Sequence, residues 1–181
     1  MGIQPGDMSL IAAPFDFLGI NCYSRGVAWA QSPGIWNLPY FDVGYGGGET
    51  GPVTDNGWEV WPDALHDILV TMHTQYGLPV EVTENGCAYN DVPDATGTIA
   101  DQRRISFYQG YLASLYKAIQ EGVDVRGYHA WSVMDNFEWL DGFSMRFGLT
   151  YVDFTSAART RTVKNSGKWY AQVAATNSVT T

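Results

Sequence analysis

Several kinds of sequence feature are scarce or absent in this chain of 181 residues. It has two cysteines, Cys22 and Cys87, which are too few for a disulfide framework and lack the spacing of a metal site. No apolar run is long enough to span a bilayer, and the start, MGIQPGDMSL, lacks the basic and apolar regions of a signal peptide. These absences predict a cytoplasmic location, with two buried thiols in a reducing compartment.

Basic residues are also scarce. Ten Lys and Arg stand against 19 Asp and Glu, which gives a formal net charge of -9. Because nucleic acids and anionic membrane surfaces attract clusters of positive charge, and no basic stripe occurs here, we expect neither of them as a partner.

Apolar and aromatic residues, in contrast, are plentiful. Hydrophobic residues make up 45% of the chain, which is typical of a globular protein. Aromatic residues reach 14%, with seven Trp and eleven Tyr. This composition has two interpretations, which it does not separate: flat rings that stack on sugars in a binding cleft, or a large aromatic core.

Hydrophobic periodicity predicts strands that alternate with helices. The predicted strands are 15–21, 78–84 and 123–132, the predicted helices are 5–14, 62–77, 101–122 and 166–177, and a hairpin is expected over 146–154 and 159–163. Ser166 is the expected cap of the last helix, the stretch 22–61 is expected to be irregular, and GYGGGETG within it reads as a flexible tip. The alternation predicts a parallel α/β sheet, and the absence of a linker predicts one unit over 1–181.

Polar or aromatic residues stand where each predicted strand ends: Asn21 and Tyr23, then Glu84, then Trp131. Carboxyl ends of parallel strands form the functional edge of a (β/α) barrel or of a doubly wound sheet. Residues two apart share a face, so we expect the Tyr23 hydroxyl to donate to Glu84 and favour its ionised form, as a nucleophile requires. The other interpretation of Glu84 is a capping or loop carboxylate.

Strand parity also assigns two further residues to faces of the sheet. It predicts that Glu81 points away from Glu84, toward the helices, and that His129 faces the barrel interior. For His129 two roles stay open: a hydrogen-bonded core histidine or a catalytic group.

Five segments together resemble glycoside hydrolase family one, the retaining β-glucosidases and their relatives. VTENG, residues 82–86, resembles the nucleophile motif of that family. The other four segments occur in the family's order and spacing: DFLGINCYS, GWEVWPDAL, GYHAWSVMDNFEWLDGFSMRFGLTYVDF and RTVKNSGKWY. The resemblance covers nearly the whole chain and implies the C-terminal part of a (β/α)8 TIM barrel, with its last three strands.

The resemblance implies a role for each matching residue. Glu84 is similar to the nucleophile that forms a glycosyl-enzyme ester, and Tyr23 to the tyrosine that hydrogen-bonds it. The other matching residues resemble substrate contacts: a polar residue of the same subsite at Asn21, a platform under the sugar at Trp131, a pair that binds the far hydroxyls at Glu138 and Trp139, an aromatic wall at Phe147 and a stacking residue toward the leaving group at Trp58. For the three tryptophans the alternative to a sugar contact is packing in the core. A carboxylate at 138 suits a neutral sugar and would repel a phosphorylated one.

The chain lacks the second carboxyl that a retaining glycosidase needs. The family's acid–base Glu follows an Asn, and no Asn-Glu-Pro occurs here. Glu49, Glu59, Glu81, Glu121 and Glu138 are not expected to replace it. A complete barrel also takes about 250 residues, so we expect the chain to need a missing N-terminal barrel segment, or to associate with itself.

The sequence thus predicts the nucleophile-bearing part of a retaining β-glucosidase that acts on β-glucosides or oligosaccharides, with no metal or cofactor. The alternative is a non-catalytic fragment that serves as a structural or sugar-binding piece. The sugar epimer is left open because Glu138 binds hydroxyls without selecting among epimers, and the aglycone is left open because residues 24–61 carry the least family pattern.

Overall fold

The computed structural model describes residues 2–31, 40–44 and 51–179. Most of the predicted tip GYGGGETG, and Glu49 within it, lies outside these ranges. The elements follow one another as α1 (Asp7–Ile11), β1 (Leu18–Asn21), β2 (Val27–Gln31), β3 (Tyr40–Gly44), α2 (Asp63–Tyr76), β4 (Val80–Asn85), α3 (Gln102–Gln120), β5 (Val125–Ala130), β6 (Thr150–Val152), β7 (Arg161–Val163) and α4 (Asn165–Thr176). None of the described helices is long and apolar enough to cross a membrane.

The central feature is a parallel sheet of three strands in the order β1-β4-β5. α2 connects β1 to β4 and α3 connects β4 to β5, so the predicted alternation of strands and helices is confirmed. β6 and β7 form the expected antiparallel hairpin. The stretch predicted to be irregular contains a second antiparallel pair, β2 with β3, which the sequence pattern did not reveal.

One face of the sheet is covered by helices. Val80 and Val82 of β4 are fully buried, together with Leu65 and Leu69 of α2 and with an aromatic row on α3. That row consists of Phe107, Tyr108 and Tyr111. Complete burial of each such apolar side chain is worth about 1.5–3 kcal/mol, so this layer supplies most of the free energy that holds the helices on the sheet.

The opposite face of the sheet is polar and open to solvent. It carries Asn21, Glu81, Thr83 and His129, which we call the open face. The prediction that Glu81 points toward the helices is wrong. Its carboxylate lies 3.7 Å from Nε2 of His129, and a Cβ added at Gly127 of the neighbouring strand would lie 3.3 Å from the Cδ of Glu81.

A break in strand register explains this error. Val82 packs against the helices, so by alternation Glu81 and Thr83 take the open face. The pairing then shifts between Val82 and Asn85, and parity counted back from Glu84 no longer holds across that irregularity. His129 lies on the open face, away from the helices, which is the direction that strand parity predicted, and its side chain is 61% exposed.

The guanidinium of Arg104 is completely buried in the middle of the loops above the sheet. It donates to the carbonyl oxygens of Cys87 and Tyr89 on the loop after β4, and to those of Arg146 and Phe147 before β6. Its Nε donates to Asp101 at 3.1 Å. One side chain therefore ties together two loops and the start of α3.

Asp101 also corrects the predicted cap of α4. The helix begins at Asn165, and Ser166 does not cap it. The backbone N–H of Ser166 donates to Oδ1 of Asp101 at 2.8 Å, and its hydroxyl donates to Oδ2 of the same carboxylate. The serine is thus used to join α4 to α3, because a buried carboxylate from the neighbouring helix competes for its donors.

A second buried carboxylate, Asp135, anchors the long loop between β5 and β6. It accepts from Arg146 Nη1 at 2.5 Å, from Lys164 Nζ at 3.1 Å and from the N–H of Gly148 at 3.0 Å. Burial lowers the pKa of Lys164 from 10.5 to about 8, so the lysine is still mostly protonated at neutral pH and needs this partner.

We expect Asp135→Asn to lower the free energy of unfolding by about 3–5 kcal/mol, because the buried Lys164 cation would lose its carboxylate. Lys164→Met is the matched variant and should cost clearly less, since Asp135 keeps Arg146 and its backbone donors. Urea denaturation of both variants at pH 7 measures the difference. Equal losses, or a larger loss for Lys164→Met, would contradict this account of the network.

Candidate active site

Three of the predicted site residues stand at the carboxyl ends of the parallel strands. Glu84 comes from the end of β4, Tyr23 stands two residues beyond β1, and Trp131 follows β5 directly. The Tyr23 hydroxyl donates to Oε2 of Glu84 at 2.6 Å, as the sequence predicted. Burial, the hydrogen bond to Glu84 and the charges of Glu84 and Glu138 raise the pKa of Tyr23, so the phenol stays protonated and donates to a carboxylate.

Hydrogen bonds fix the ends of the three parallel strands relative to one another. The N–H of Cys22 donates to the carbonyl of Glu84 at 2.9 Å, and the N–H of Trp131 donates to that of Asn85 at 2.8 Å. The buried amide of Asn85 donates to the carbonyl of Cys22 at 2.6 Å. The ends of β1, β4 and β5 are therefore joined in a chain of contacts around the carboxylate.

Gly86, directly after this point, has no room for a side chain. A Cβ at this position would lie 1.8 Å from the carbonyl oxygen of Trp131. The requirement explains why glycine follows Asn85 in VTENG: the chain leaving β4 crosses in contact with the Trp131 peptide. The motif thus encodes a close backbone approach as well as the acid.

Three aromatic rings form one wall beside Glu84. The ring centroids of Tyr23 and Trp58 are 5.3 Å apart, those of Tyr23 and Phe147 are 6.1 Å apart, and those of Trp58 and Phe147 are 5.9 Å apart. Phe147 is 2% exposed. The rings meet at steep or tilted angles, which suits the aromatic quadrupoles and leaves the wall uneven rather than flat.

Glu138 lies on the loop after β5 and contacts Trp131. The indole Nε1 of Trp131 donates to Oε1 of Glu138 at 3.1 Å. Two backbone hydrogen bonds between Glu138 and Gly142, at 2.7 and 2.8 Å, close the tight turn that presents the carboxylate. Trp139, next to it, is 93% exposed, so the chain places the Trp131–Glu138 pair together and leaves Trp139 in solvent.

The side chain of Asn21 is hydrogen-bonded to the neighbouring strand β4. Its side-chain oxygen accepts from the Thr83 hydroxyl at 2.6 Å, on the open face. This contact holds the Asn21 amide at the end of β1, two residues before Tyr23. Of the eight residues predicted for the site, Trp139 and Asn21 are the two most exposed to solvent.

The other described glutamates are each held elsewhere. Glu59 is fully buried and accepts from Arg25 Nε at 2.7 Å and from Arg25 Nη2 at 3.0 Å. Glu121 accepts from Nε2 of His66 at 2.9 Å, and Glu81 lies beside His129 on the open face. Within the described ranges, no three His, Cys, Asp or Glu side chains come together as metal ligands.

The sequence reasoning missed the Arg25–Glu59 pair, which holds the segment of Trp58 against the end of β1. Glu59 stands between Trp58 and Val60 in the sequence, and an acid among apolar neighbours is a sign of a buried, paired carboxylate. Ser24 reinforces the same contact, because its hydroxyl donates to the carbonyl of Glu59 at 2.8 Å.

Comparison with known proteins places these features in a family. The profile described as Glycosyl hydrolase family 1 matches residues 1–179. A bifunctional beta-D-glucosidase/beta-D-fucosidase of Bifidobacterium breve is 42% identical over 191 aligned residues, covering 96% of this chain and 40% of that protein. Beta-glucosidase A of Thermotoga maritima is 38% identical, covering 94% of this chain and 37% of that protein.

Solved structures agree with the sequence relatives. A family 1 b-glucosidase from Thermotoga maritima superimposes with a TM-score of 0.88 at 37% identity, covering 97% of this chain and 38% of the solved one. The complex of that enzyme with isofagomine lactam gives a TM-score of 0.85 at 38% identity, with 94% and 37% of the two chains covered. The chain spans about two fifths of the length of the relatives that it matches, and its three parallel strands are part of their (β/α)8 barrel. By sequence and by fold, the chain belongs to glycosyl hydrolase family 1.

Proposed function

We propose that this chain carries the nucleophile of a retaining β-glucosidase. The observation that supports the proposal most strongly is the 2.6 Å hydrogen bond from Tyr23 to Glu84 at the carboxyl edge of the sheet. A phenol that donates to a carboxylate favours its ionised form and fixes its direction, and both are needed for attack on an anomeric carbon.

In the proposed reaction, an oxygen of Glu84 forms a bond to the anomeric carbon while the bond from that carbon to the leaving oxygen breaks. An acid protonates the leaving oxygen, and the sugar remains as an ester on Glu84. Water, deprotonated by the same acid–base group, then attacks the anomeric carbon and releases Glu84 as a carboxylate, with net retention of configuration.

The second carboxyl has to come from outside the described residues in this scheme. Retaining enzymes place their two carboxyl groups roughly 5–5.5 Å apart, and Glu59, Glu81 and Glu121 are held by partners away from Glu84. We propose that a complementary barrel segment supplies the acid–base group and pairs with the strands at the two sides of the sheet. Self-association of the chain is the other way to cover the open face.

Glu138 is the proposed ligand of the sugar hydroxyls. Its Oε1 already accepts from Trp131, which orients the carboxylate and leaves lone pairs for hydroxyl donors. Because a carboxylate repels phosphate, the substrate class that we propose is an unphosphorylated β-glucoside or oligosaccharide. One of the similar proteins is described as acting on both β-D-glucosides and β-D-fucosides, so either sugar is compatible with this proposal.

A second candidate is a non-catalytic piece that binds sugar or serves only as structure. It is favoured by one observation, namely that each described glutamate other than Glu84 already has a side-chain neighbour of its own: Arg25, His129, His66 or Trp131. The proposals differ in whether a covalent intermediate can form on Glu84.

We expect Glu84 to be labelled by a 2-deoxy-2-fluoro-β-glucoside with a dinitrophenolate leaving group, which needs no acid assistance. The protein to use is the barrel completed with its N-terminal segment, and peptide mass spectrometry should find the added sugar on the peptide that contains Glu84. Glu84→Gln should abolish labelling, and Tyr23→Phe should slow it. Labelling at Glu138 instead would refute the assignment.

We expect Glu138→Gln to lower kcat/KM for an unphosphorylated β-glucoside while the melting temperature stays unchanged. The loss should correspond to one charge-assisted hydrogen bond, about 1.5–3 kcal/mol. Glu121→Gln is the matched control, because Glu121 contacts His66 away from the site and its loss should not change kcat/KM. An unchanged kcat/KM in Glu138→Gln would show that this carboxylate does not touch the sugar.

We expect residues 1–181 alone to show no measurable turnover of a nitrophenyl β-glucoside. General acid–base assistance is worth about 10²–10⁴ in rate, and the strands that would hold the sugar are not in this chain. Addition of the N-terminal barrel segment in trans should restore turnover if the two pieces associate. Vigorous hydrolysis by the verified single chain would mean that one of its own carboxyls serves as the acid.

A further inference from the structure

We propose that Tyr111 of α3 is a positioning residue that sets the approach of Tyr23 to Glu84. The proposal rests on the proposed function, in which Glu84 is the nucleophile. The Tyr111 hydroxyl donates to the backbone carbonyl of Tyr23 at 3.0 Å and accepts from the backbone N–H of Trp61 at 3.2 Å. These two contacts join residues that are 88 and 50 positions away in the sequence.

Tyr23 needs such a contact because it stands beyond the end of its strand. β1 ends at Asn21, and the bond from Cys22 N–H to the Glu84 carbonyl is the final contact of the strand ladder on that side. The Asn85 amide holds the Cys22 carbonyl, but the Tyr23 carbonyl, one peptide further on, accepts no hydrogen bond from the described strands of the sheet. Tyr111 supplies the missing constraint on that peptide.

The same hydroxyl also restrains the segment that carries Trp58. Trp61 stands three residues after Trp58, and its N–H has the Tyr111 oxygen as acceptor. A hydroxyl has one proton and two lone pairs, so it can donate to one backbone and accept from another at the same time. The Tyr111 oxygen thus restrains both the backbone of Tyr23 and the segment of Trp58, whose rings have centroids 5.3 Å apart.

The position of that oxygen is set by the core. Tyr111 is fully buried, and its ring stacks on Phe107 with centroids 4.1 Å apart and an interplanar angle of 22°. Burial raises the pKa of Tyr111, so its hydroxyl keeps the proton that it donates. The packing of α3 against the sheet is therefore transmitted to the nucleophile through a fully buried, stacked side chain.

Arg25 and Ser24 restrain the residues after Tyr23, but in another way. Both contact Glu59, and neither contacts the Tyr23 peptide in the described structure. They fix the direction in which the chain leaves the site. Tyr111 fixes the height at which Tyr23 presents its phenol to Glu84.

Tyr111→Phe tests the proposal, because it removes one oxygen and leaves the stacked ring. The readout is the Tyr23 resonance in the 181-residue chain with 13Cζ-labelled tyrosine, assigned with Tyr23→Phe. Tyr111→Phe should shift the Tyr23 signal and speed exchange of its hydroxyl proton. Tyr170→Phe is the matched control, since it also loses one hydroxyl that donates to a backbone carbonyl, that of Tyr128 at 3.2 Å, and it should leave Tyr23 unchanged.

Two results would overturn the proposal: an unchanged Tyr23 signal in Tyr111→Phe, or an equal change in Tyr170→Phe, which would indicate general loosening. If Tyr111→Phe does not fold, a measurement on the unmodified chain still tests whether the Tyr111 hydroxyl makes its two hydrogen bonds. In an equal mixture of H2O and D2O, the Tyr111 13Cζ signal should split into two because its hydroxyl exchanges slowly. A single averaged signal would contradict the two hydrogen bonds.

The functional arm uses the completed barrel and the fluorinated glucoside. Tyr111→Phe should slow the covalent labelling of Glu84 on the order of tenfold, because a displaced group loses its near-attack geometry, while Tyr170→Phe labels at the rate of the unmodified protein. An unchanged labelling rate would overturn the role in the reaction. Failure of the unmodified barrel to label would instead refute the proposed function, and the resonance measurements would still test the position of Tyr23.

Discussion

The buried guanidinium of Arg104 is the interaction on which the upper half of the molecule depends. Four carbonyl oxygens from two loops converge on it, and those loops carry the chain away from Glu84 and toward Phe147. A planar fork with five donors can satisfy several carbonyls at once, which the single ammonium of a lysine cannot do in the same geometry. Without it, the carbonyls of Cys87 and Tyr89 would lose their donor, each at a cost of about 1–3 kcal/mol, whereas those of Arg146 and Phe147 would keep the backbone N–H groups of Tyr89 and Ser132.

The same principle is repeated at each point where a functional side chain lies beyond a strand. The hydrogen bonds between strands position the backbone only as far as the strands extend. Beyond the strand ends, buried polar side chains hydrogen-bond the backbone and hold it in place. Asn85 holds the Cys22 carbonyl, Tyr111 holds the Tyr23 carbonyl, and Asp135 holds the loop that leads to Glu138. Such groups are expensive to bury, and the described structure leaves no buried side-chain N or O atom unpaired.

The sequence predicted the part of this design that depends on local pattern. Apolar periodicity located the three strands and their helices, and family motifs predicted roles for Glu84, Tyr23, Trp131 and Glu138. Parity failed at Glu81, because a register shift after Val82 breaks the period of two on which it relies. The long-range contacts of Arg104, Tyr111 and Glu59 were not predictable, because each joins a side chain to a backbone or a partner dozens of residues away and leaves no periodic trace.

The two faces of the sheet differ in what they still require. The helix-covered face buries apolar residues of β4 against α2 and α3, whereas the open face presents the Glu81 carboxylate with the His129 ring 3.7 Å away. Any segment that covers this face removes water from both groups. A contact of that length is too long for a hydrogen bond, so it does little to offset the desolvation of the carboxylate. A covering segment must therefore bring hydrogen-bond donors of its own to Glu81, so an apolar surface, however well shaped, would be a poor partner for this side of the sheet.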